Sequence, residues 1–230
     1  MTDNTVHHPL LDVFLNRDND WNRYRSMSGK TTVASRECLT LRVVFDHEAG
    51  LGAPAWTVAA YDSPAGERSW NATFTDTTPG PLIERFLHGL THAEKTRRDA
   101  LTLRSGDDPD HPSAHMPALL QSAGWHQTAT GHSYAVWASP DRRTEIAYDM
   151  IAPERWTMSG SIGSTGPRWS ATFSPKTPRL LMRPLIEKLS TAPRDPLRRA
   201  ALHRRSAGHS AATPEAVAPL STAASARSRR

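Results

Sequence analysis

Cysteine is almost absent from this chain of 230 residues, in which Cys38 is the only one. A single thiol excludes an internal disulfide and is typical of a reducing compartment. Long apolar runs are lacking too, since no stretch approaches the roughly 18 residues of a membrane-spanning helix. The N-terminal residues also lack the charged-then-apolar pattern of a secretory signal. We therefore expect a cytoplasmic protein with no membrane association.

Lysine is scarce, with 4 residues against 24 arginines, and the net charge of +5 is unevenly distributed. Residues 193–230 contain eight arginines and two acidic residues, so this tail carries +6. The preceding 192 residues therefore carry −1. The basicity belongs to the tail, and the rest of the chain is close to neutral.

One ten-residue phrase occurs twice in the sequence. Residues 70–79 read WNATFTDTTP and residues 169–178 read WSATFSPKTP, with six identical positions at a constant spacing of 99. The apolar residues alternate with small polar ones, which is the period of a strand with one apolar face. A Thr-Pro pair and leucines at four-residue spacing follow, which indicate an amphipathic helix. We expect Thr177 to cap the second helix and Pro184 to kink it.

The duplication predicts an α+β fold of two tandem, pseudo-symmetric repeats. Each repeat is expected to be an antiparallel sheet of three to four strands followed by a C-terminal amphipathic helix. Strands are expected at 39–45, 55–61 and 68–75, and again at 133–138, 143–149, 155–161 and 167–174. Eight residues are expected to form the shared structural motif: Trp56, Trp70, Phe74, Pro79, Trp156, Trp169, Phe173 and Pro178.

Composition predicts the organisation of the chain along its length. We expect a polar N-terminal segment at 1–32, a first repeat at 33–94, an acidic linker rich in Pro and Gly at 95–116, a second repeat at 117–192 and a disordered tail at 193–230. The tail consists mainly of Arg, Ala and Ser, and it has too few apolar residues to offset the entropy cost of ordering. Within the N-terminal segment, one short helical turn is expected at 9–15 and a loop at 16–32.

The second copy resembles the domain of unknown function 317 family of actinomycetes, as in Streptomyces. The resemblance rests on Leu119-Leu120 before Gly124-Trp125, on the run from Ala138 to Asp141, and on the phrase that begins at Trp169. The first copy diverges, because Arg36 replaces the proline of the second copy's Ser-Pro-Asp turn. The resemblance covers about residues 33 to 192 and implies two tandem copies and an actinobacterial origin. It implies no activity.

Two motifs resemble phosphate-binding loops. Ser28-Gly29-Lys30-Thr31 matches the end of a P-loop, but Tyr24 stands where the first glycine is needed and no apolar strand precedes it. Gly160, Gly163 and Gly166 are three residues apart, which is not dinucleotide-binding spacing, and no helix follows them. A solvated loop and a hairpin loop are the favoured interpretations, and no cofactor is expected.

Histidine and aspartate also occur at spacings that can hold a metal. His88 and His92 lie one helical turn apart, but Gly89 stands where a metalloprotease has its glutamate. Further candidates lie in the predicted linker: Asp107, Asp108, Asp110, His111 and His115. Proline and glycine would not preorganise them for chelation. We therefore expect no metal site, and no catalytic constellation can be argued from the spacing.

The aromatic residues raise the question of a nucleic-acid surface, because single-strand binders stack bases on aromatic side chains. Here they alternate onto the strand face that a helix must cover, so burial in the core is favoured. The opposite face is predicted to carry no Lys or Arg and to present Thr57, Asn71, Thr73, Thr75, Thr157, Ser159, Ser170, Thr172 and Ser174. Such a face suits pairing between the repeats, self-association or a polar partner.

The tail is the better electrostatic candidate for nucleic acid, through Arg198, Arg199, Arg204 and Arg205. A solubilising appendage is the alternative. We interpret the chain as a non-catalytic binding or adaptor module for a protein partner or for itself, with non-specific nucleic-acid contacts through the tail. The runner-up is a small enzyme with its active site at the junction of the repeats.

Overall fold

The helices and strands of the computed structural model belong to an α+β fold, which confirms the predicted class. The structure describes residues 7–17, 21–36, 39–96, 115–161 and 166–191. Within these residues the helices are α1 (His7–Arg17), α2 (Gly80–Thr96), α3 (His115–Ser122) and α4 (Arg179–Ser190). The strands of the first half are β1 (Trp21–Arg25), β2 (Thr31–Arg36), β3 (Leu41–Asp46), β4 (Pro54–Tyr61) and β5 (Arg68–Thr75). Those of the second half are β6 (His126–Thr130), β7 (Tyr134–Ala138), β8 (Thr144–Asp149), β9 (Trp156–Ser161) and β10 (Arg168–Phe173).

All these strands join one antiparallel sheet in the order β1-β2-β3-β4-β5-β10-β9-β8-β7-β6. The two halves therefore meet at β5 and β10, the strands that carry the repeated phrase. Thr73 pairs with Thr172, and the neighbouring pairs are Ala72 with Phe173 and Phe74 with Ala171. The register is therefore symmetric, because the counterparts of Ala72 and Phe173, which are Ala171 and Phe74, also pair with each other. An approximate twofold axis perpendicular to the sheet passes between the two threonines.

One face of the sheet, called here the inward face, holds the hydrophobic core. Alternate residues of β4 and β5, such as Trp56, Trp70 and Phe74, are fully buried there. All four helices add apolar side chains to the same core, including Leu11, Leu90, Leu120 and Leu185. The helices therefore cover one side of the sheet, and burial of the apolar face is the main driving force for this packing.

Among the described residues each half of the sheet has five strands, whereas three to four were predicted for each repeat. Residues 16–32 were expected to be a loop, but they contain β1 and the start of β2. β1 has only Trp21 buried and four exposed residues, so it lacks the alternation that reveals a half-buried strand. β6 was missed for the same reason. The turn expected at 9–15 is the longer helix α1, whose buried apolar residues are Leu11, Phe14 and Leu15.

Within the described ranges, none of the helices combines the length and the apolar composition that crossing a membrane demands.

Trp169 offers a test of the core, because its side chain is 4% exposed on the inward face. We expect Trp169→Ala to lower the free energy of unfolding by about 3–5 kcal/mol, the usual range for a buried large aromatic. The measurement is a denaturant titration monitored by far-UV circular dichroism. Tyr134→Ala is the matched control, since Tyr134 is 48% exposed and its loss should change stability by about 0.5 kcal/mol or less. A wild-type midpoint for Trp169→Ala would mean that the indole is a surface platform.

Candidate interaction surface at the repeat junction

The repeated phrase forms the junction between the two halves of the sheet. At its centre the hydroxyl oxygens of Thr73 and Thr172 lie 2.7 Å apart in a hydrogen bond. The two residues occupy the same position in the two copies of the phrase. Their contact therefore lies on the approximate twofold axis.

Backbone amides on either side of the axis are bound by hydroxyls of the opposite copy. The Asn71 N–H donates to Ser174 Oγ at 2.9 Å, and the Ser170 N–H donates to Thr75 Oγ1 at 3.0 Å. Asn71 is the counterpart of Ser170, and Thr75 is the counterpart of Ser174. The two hydrogen bonds are therefore the same contact made twice across the axis.

The threonines of the Thr-Pro pairs complete this junction. Thr177 Oγ1 donates to the Asn71 carbonyl at 2.9 Å, and Thr78 Oγ1 donates to the Ser170 carbonyl at 3.1 Å. The expectation that Thr177 caps α4 is therefore wrong. Pro178 occupies the N-cap position with no side-chain hydrogen bond to the helix. The hydroxyl is unavailable for capping because it binds the other half of the molecule.

Aromatic packing supports the junction on the inward face. The ring centroids of Phe74 and Phe173 are 5.9 Å apart, and Phe86 of α2 lies 5.1 Å from the first and 6.0 Å from the second. The helices α2 and α4 pack on each other above this cluster. Gly89 of α2 lies at this contact, where a Cβ would be in ordinary van der Waals contact with a methyl of Leu181 at 3.6 Å.

The opposite side of the sheet, called here the open face, has a row of small side chains across its middle. Strand pairing places eight of these residues next to one another, and they are called here the threonine row. All eight are partly exposed. In sheet order they are Val33, Val44, Thr57, Thr73, Thr172, Thr157, Ala147 and Val136. Pairing between the repeats is one of the three uses predicted for this face. The hydrogen bond between Thr73 and Thr172 shows it directly.

The open face is not free of charge, which corrects the sequence-based expectation. Arg42 of β3 lies on it, two residues from Val44, and binds the Pro64 carbonyl at 2.7 Å above the ring of Tyr61. Glu145 occupies the related position of the second half and is exposed. Arg168 of β10 also lies on this face, two residues from Ser170, and is exposed. The middle of the face is nonetheless uncharged.

A shallow groove lies on the helix side, between α2 and α4. It encloses about 220 Å³ and is lined by Pro81, Glu84, Arg85, His88 and Lys188. Pockets for small ligands usually enclose about 300–1,000 Å³. The four polar side chains of this groove are exposed to solvent. They do not form the desolvated cluster that catalysis usually requires.

The histidine pair whose spacing could hold a metal lies on α2. The rings of His88 and His92 are stacked with centroids 6.4 Å apart, and both side chains are exposed. Among the described residues no group of three potential metal ligands is found. The residues Asp107 to His111 lie outside the described residues, as does the side chain of His115.

The two phosphate-loop candidates have structural roles. Ser28 to Lys30 form the turn between β1 and β2, in which Gly29 has a φ of +70° and Lys30 pairs with Glu48 at 2.6 Å. Gly160 lies inside β9, opposite Trp169. A Cβ at Gly160 would lie 2.9 Å from the indole nitrogen, so this glycine provides space for the tryptophan.

The predicted nucleic-acid residues Arg198, Arg199, Arg204 and Arg205 lie outside the described residues. The hydroxyls that bind across the junction were missed as a group, although Thr78 and Thr177 are identical in the two copies. His7 was also missed, because the polar segment around it gave no sign of a buried side chain. It is 4% exposed and contacts Thr78 and Trp56.

The junction can be tested at Thr177, which is buried and binds the Asn71 carbonyl. We expect Thr177→Val to lower the free energy of unfolding by about 0.5–1.5 kcal/mol, because the volume is kept while the hydrogen bond to the Asn71 carbonyl and the longer one to Ser174 Oγ, at 3.2 Å, are lost. Thr57→Val is the matched control on the same sheet, and its effect should be about 0.5 kcal/mol or less. Equal effects of the two substitutions in denaturant titrations would contradict the role of the junction hydroxyl.

Comparison with known proteins gives a family and no closer relative. The family model described as SPDY, domain of unknown function (DUF317), matches residues 38–95 and 138–196. The first match contains β3 to β5 and α2, and the second contains β8 to β10 and α4. No curated protein and no solved structure matches the chain. Because the two matches together span just over half of the sequence, the chain belongs to the SPDY (DUF317) family and carries its domain in two tandem copies.

Proposed function

We propose that the chain is a non-catalytic binding or adaptor module that contacts a protein partner, or a second copy of itself, through the open face. The observation that carries this proposal is the one-sided placement of the helices. All four contribute to the core on the inward face, and the threonine row on the other side remains partly exposed.

The chemistry of the threonine row suits a protein contact. Its central side chains are short, so their immobilisation costs little rotamer entropy. Hydroxyls can exchange water for partner groups, and the valines at both ends supply apolar area. Protein interfaces typically have such a core with few charges and a polar rim. Arg42 and Glu145 lie beside the row, where they would form part of that rim.

The repeats would act as one rigid surface in this proposal. We infer that the copies are pseudo-symmetric sheet-plus-helix units, with the first repeat at 33–94, the linker at 95–116 and the second repeat at 117–192. Junction hydrogen bonds at related positions support the symmetry. The cytoplasm is the proposed location, because Cys38 is the only cysteine.

The alternative function is an enzyme with its site at the junction. Such an enzyme needs convergent polar groups in a deep, water-excluding pocket. The groove between α2 and α4 is smaller than usual ligand pockets, and its polar side chains are exposed. This geometry favours the binding proposal over the enzyme.

The open face can be tested with one bulky charge in each half. We expect the variant Thr57→Arg, Thr157→Arg to weaken self-association, or capture of a cross-linked partner, at least about tenfold, which corresponds to 1.4 kcal/mol. The measurements are light scattering over a concentration series and quantitative cross-linking in the native host. Thr91→Arg on α2 is the matched control and should behave like wild type. A double variant that self-associates and captures the same partner as wild type would contradict the proposal.

The tail is proposed to supply any affinity for nucleic acid. The full chain in which Arg198, Arg199, Arg204 and Arg205 are replaced by alanine should bind duplex DNA more weakly. Each lost phosphate contact should reduce the slope of log K against log salt by about 0.9, so the total reduction is about 3 to 4. A DNA titration at several salt concentrations measures this. Unchanged binding and slope would place the contacts elsewhere in the chain.

A further inference from the structure

Helix α1 is joined to the first half of the sheet by a histidine whose two ring nitrogens are both used. The indole N–H of Trp56 donates to His7 Nδ1 at 3.2 Å, and His7 Nε2 lies 2.9 Å from the Thr78 carbonyl oxygen. A carbonyl can only accept, so Nε2 carries the proton and Nδ1 is the acceptor. Only the neutral imidazole can make both contacts.

Protonation would break this arrangement. A proton on Nδ1 would direct an N–H of His7 against the N–H of Trp56, and the cation would lie where the side chain is only 4% exposed. Burial lowers the pKa of His7 from its ordinary value of 6.5, although the Thr78 carbonyl and Asp76 act in the opposite direction. Burial of the ring and the geometry of its two hydrogen bonds therefore both favour the neutral form while α1 is docked.

The next residue of the helix, His8, makes a second contact that involves histidine. The rings of His8 on α1 and His47, just after β3, have centroids 5.0 Å apart. His47 Nε2 is 2.8 Å from the Thr32 hydroxyl. Burial lowers the pKa of His47, and His8, Arg25 and Arg23 lower it further, while Asp46 opposes them. Charging both rings would place two cations side by side.

The other contacts of α1 are apolar packing and one ion pair. They are the buried side chains of Leu11, Phe14 and Leu15 and the ion pair of Asp12 with Arg23, whose N–O distance is 2.7 Å. Asp12 also lies 3.4 Å from His8 Nδ1. The response to mild acid therefore depends on His7 and His47.

We propose that α1 is a pH-sensitive latch, which is docked on the inward face while His7 and His47 are neutral and is released when they are protonated. Release would uncover Trp56 and the ring of Phe45, which packs against it at a tilt with centroids 4.7 Å apart. The sheet and the junction need not open, because none of the hydrogen bonds between β5 and β10 involves a histidine. This latch is independent of the proposed binding at the open face.

The sign of the pH dependence follows from linkage. The docked state holds the pKa of His7 below 6.5, so the released state takes up the proton first as the pH falls. Docking is therefore at full strength above about pH 6.5 and weakens below it. One such histidine increases the released population up to about thirtyfold at pH 5 relative to pH 7.5.

Hydrogen exchange of the full chain, read by mass spectrometry and corrected for the intrinsic rate, tests the proposal. We expect the opening of residues 7–17 to increase about ten- to thirtyfold from pH 7.5 to pH 5, while β5 and β10 stay protected. In His7→Gln the amide can still donate and accept but cannot titrate, so the increase should be under about threefold. The remainder reflects His47. His132→Gln, which replaces an exposed histidine of the second half, is the matched control and should respond like wild type.

Two results would overturn the latch: wild-type opening that does not change with pH, or His7→Gln with the full wild-type response. If His7→Gln does not fold, the ring of His7 in the wild-type chain is titrated by nitrogen NMR. We expect a neutral ring with its proton on Nε2 at pH 7, which titrates together with the α1 resonances. Titration of the ring while α1 stays docked would contradict the proposal.

Discussion

The pairing of β5 with β10 makes one molecule of two halves. Each of these strands is the last strand of its own half, and each would otherwise be an open edge with unpaired backbone groups. Antiparallel pairing at Thr73 and Thr172 removes both edges at once. It also continues the apolar face without interruption, so that α2 and α4 can pack on one core above Phe74 and Phe173. The arrangement of the helices thus depends on this strand pair.

The side chains of the repeated phrase are distributed between the core and the junction. The Trp, Ala and Phe residues pack in the core. The hydroxyl residues form hydrogen bonds across the junction. Ser174 and Thr75 bind amides of the opposite copy, and Thr177 and Thr78 bind carbonyls. Small hydroxyl residues can make these contacts without pushing the strands apart. Because these residues are small, the open face is flat and carries short side chains, which suits a protein contact.

Much of this fold could be predicted where the sequence has a local signal. Alternation identified the strands around Trp70 and Trp169, and leucine spacing identified α2 and α4. Pairing between the repeats was one of three uses that the sequence left open for the polar face. The specific pairing of β5 with β10 could not be predicted, because no local pattern specifies a contact between strands that are 99 residues apart. Thr177 fits a helix cap by local rules, but a partner from the other half binds its hydroxyl. β1 escaped detection because an edge strand with one buried residue resembles a loop, and the burial of His7 depends on a tertiary contact with Trp56.

A cysteine pair across the junction tests the central account most directly. In a Cys38→Ser background, Thr73→Cys with Thr172→Cys should form a disulfide within one chain under mild oxidation, since directly opposed residues have Cβ atoms about 4.5–5.5 Å apart. Thr73→Cys with Thr157→Cys is the control, because Thr157 lies one strand farther away, at about 9–10 Å. Non-reducing electrophoresis and peptide mass spectrometry distinguish the products. The account predicts an intrachain bond for the first pair and none for the second. No bond for the first pair, or bonds between chains alone, would contradict the joining of the two halves through β5 and β10.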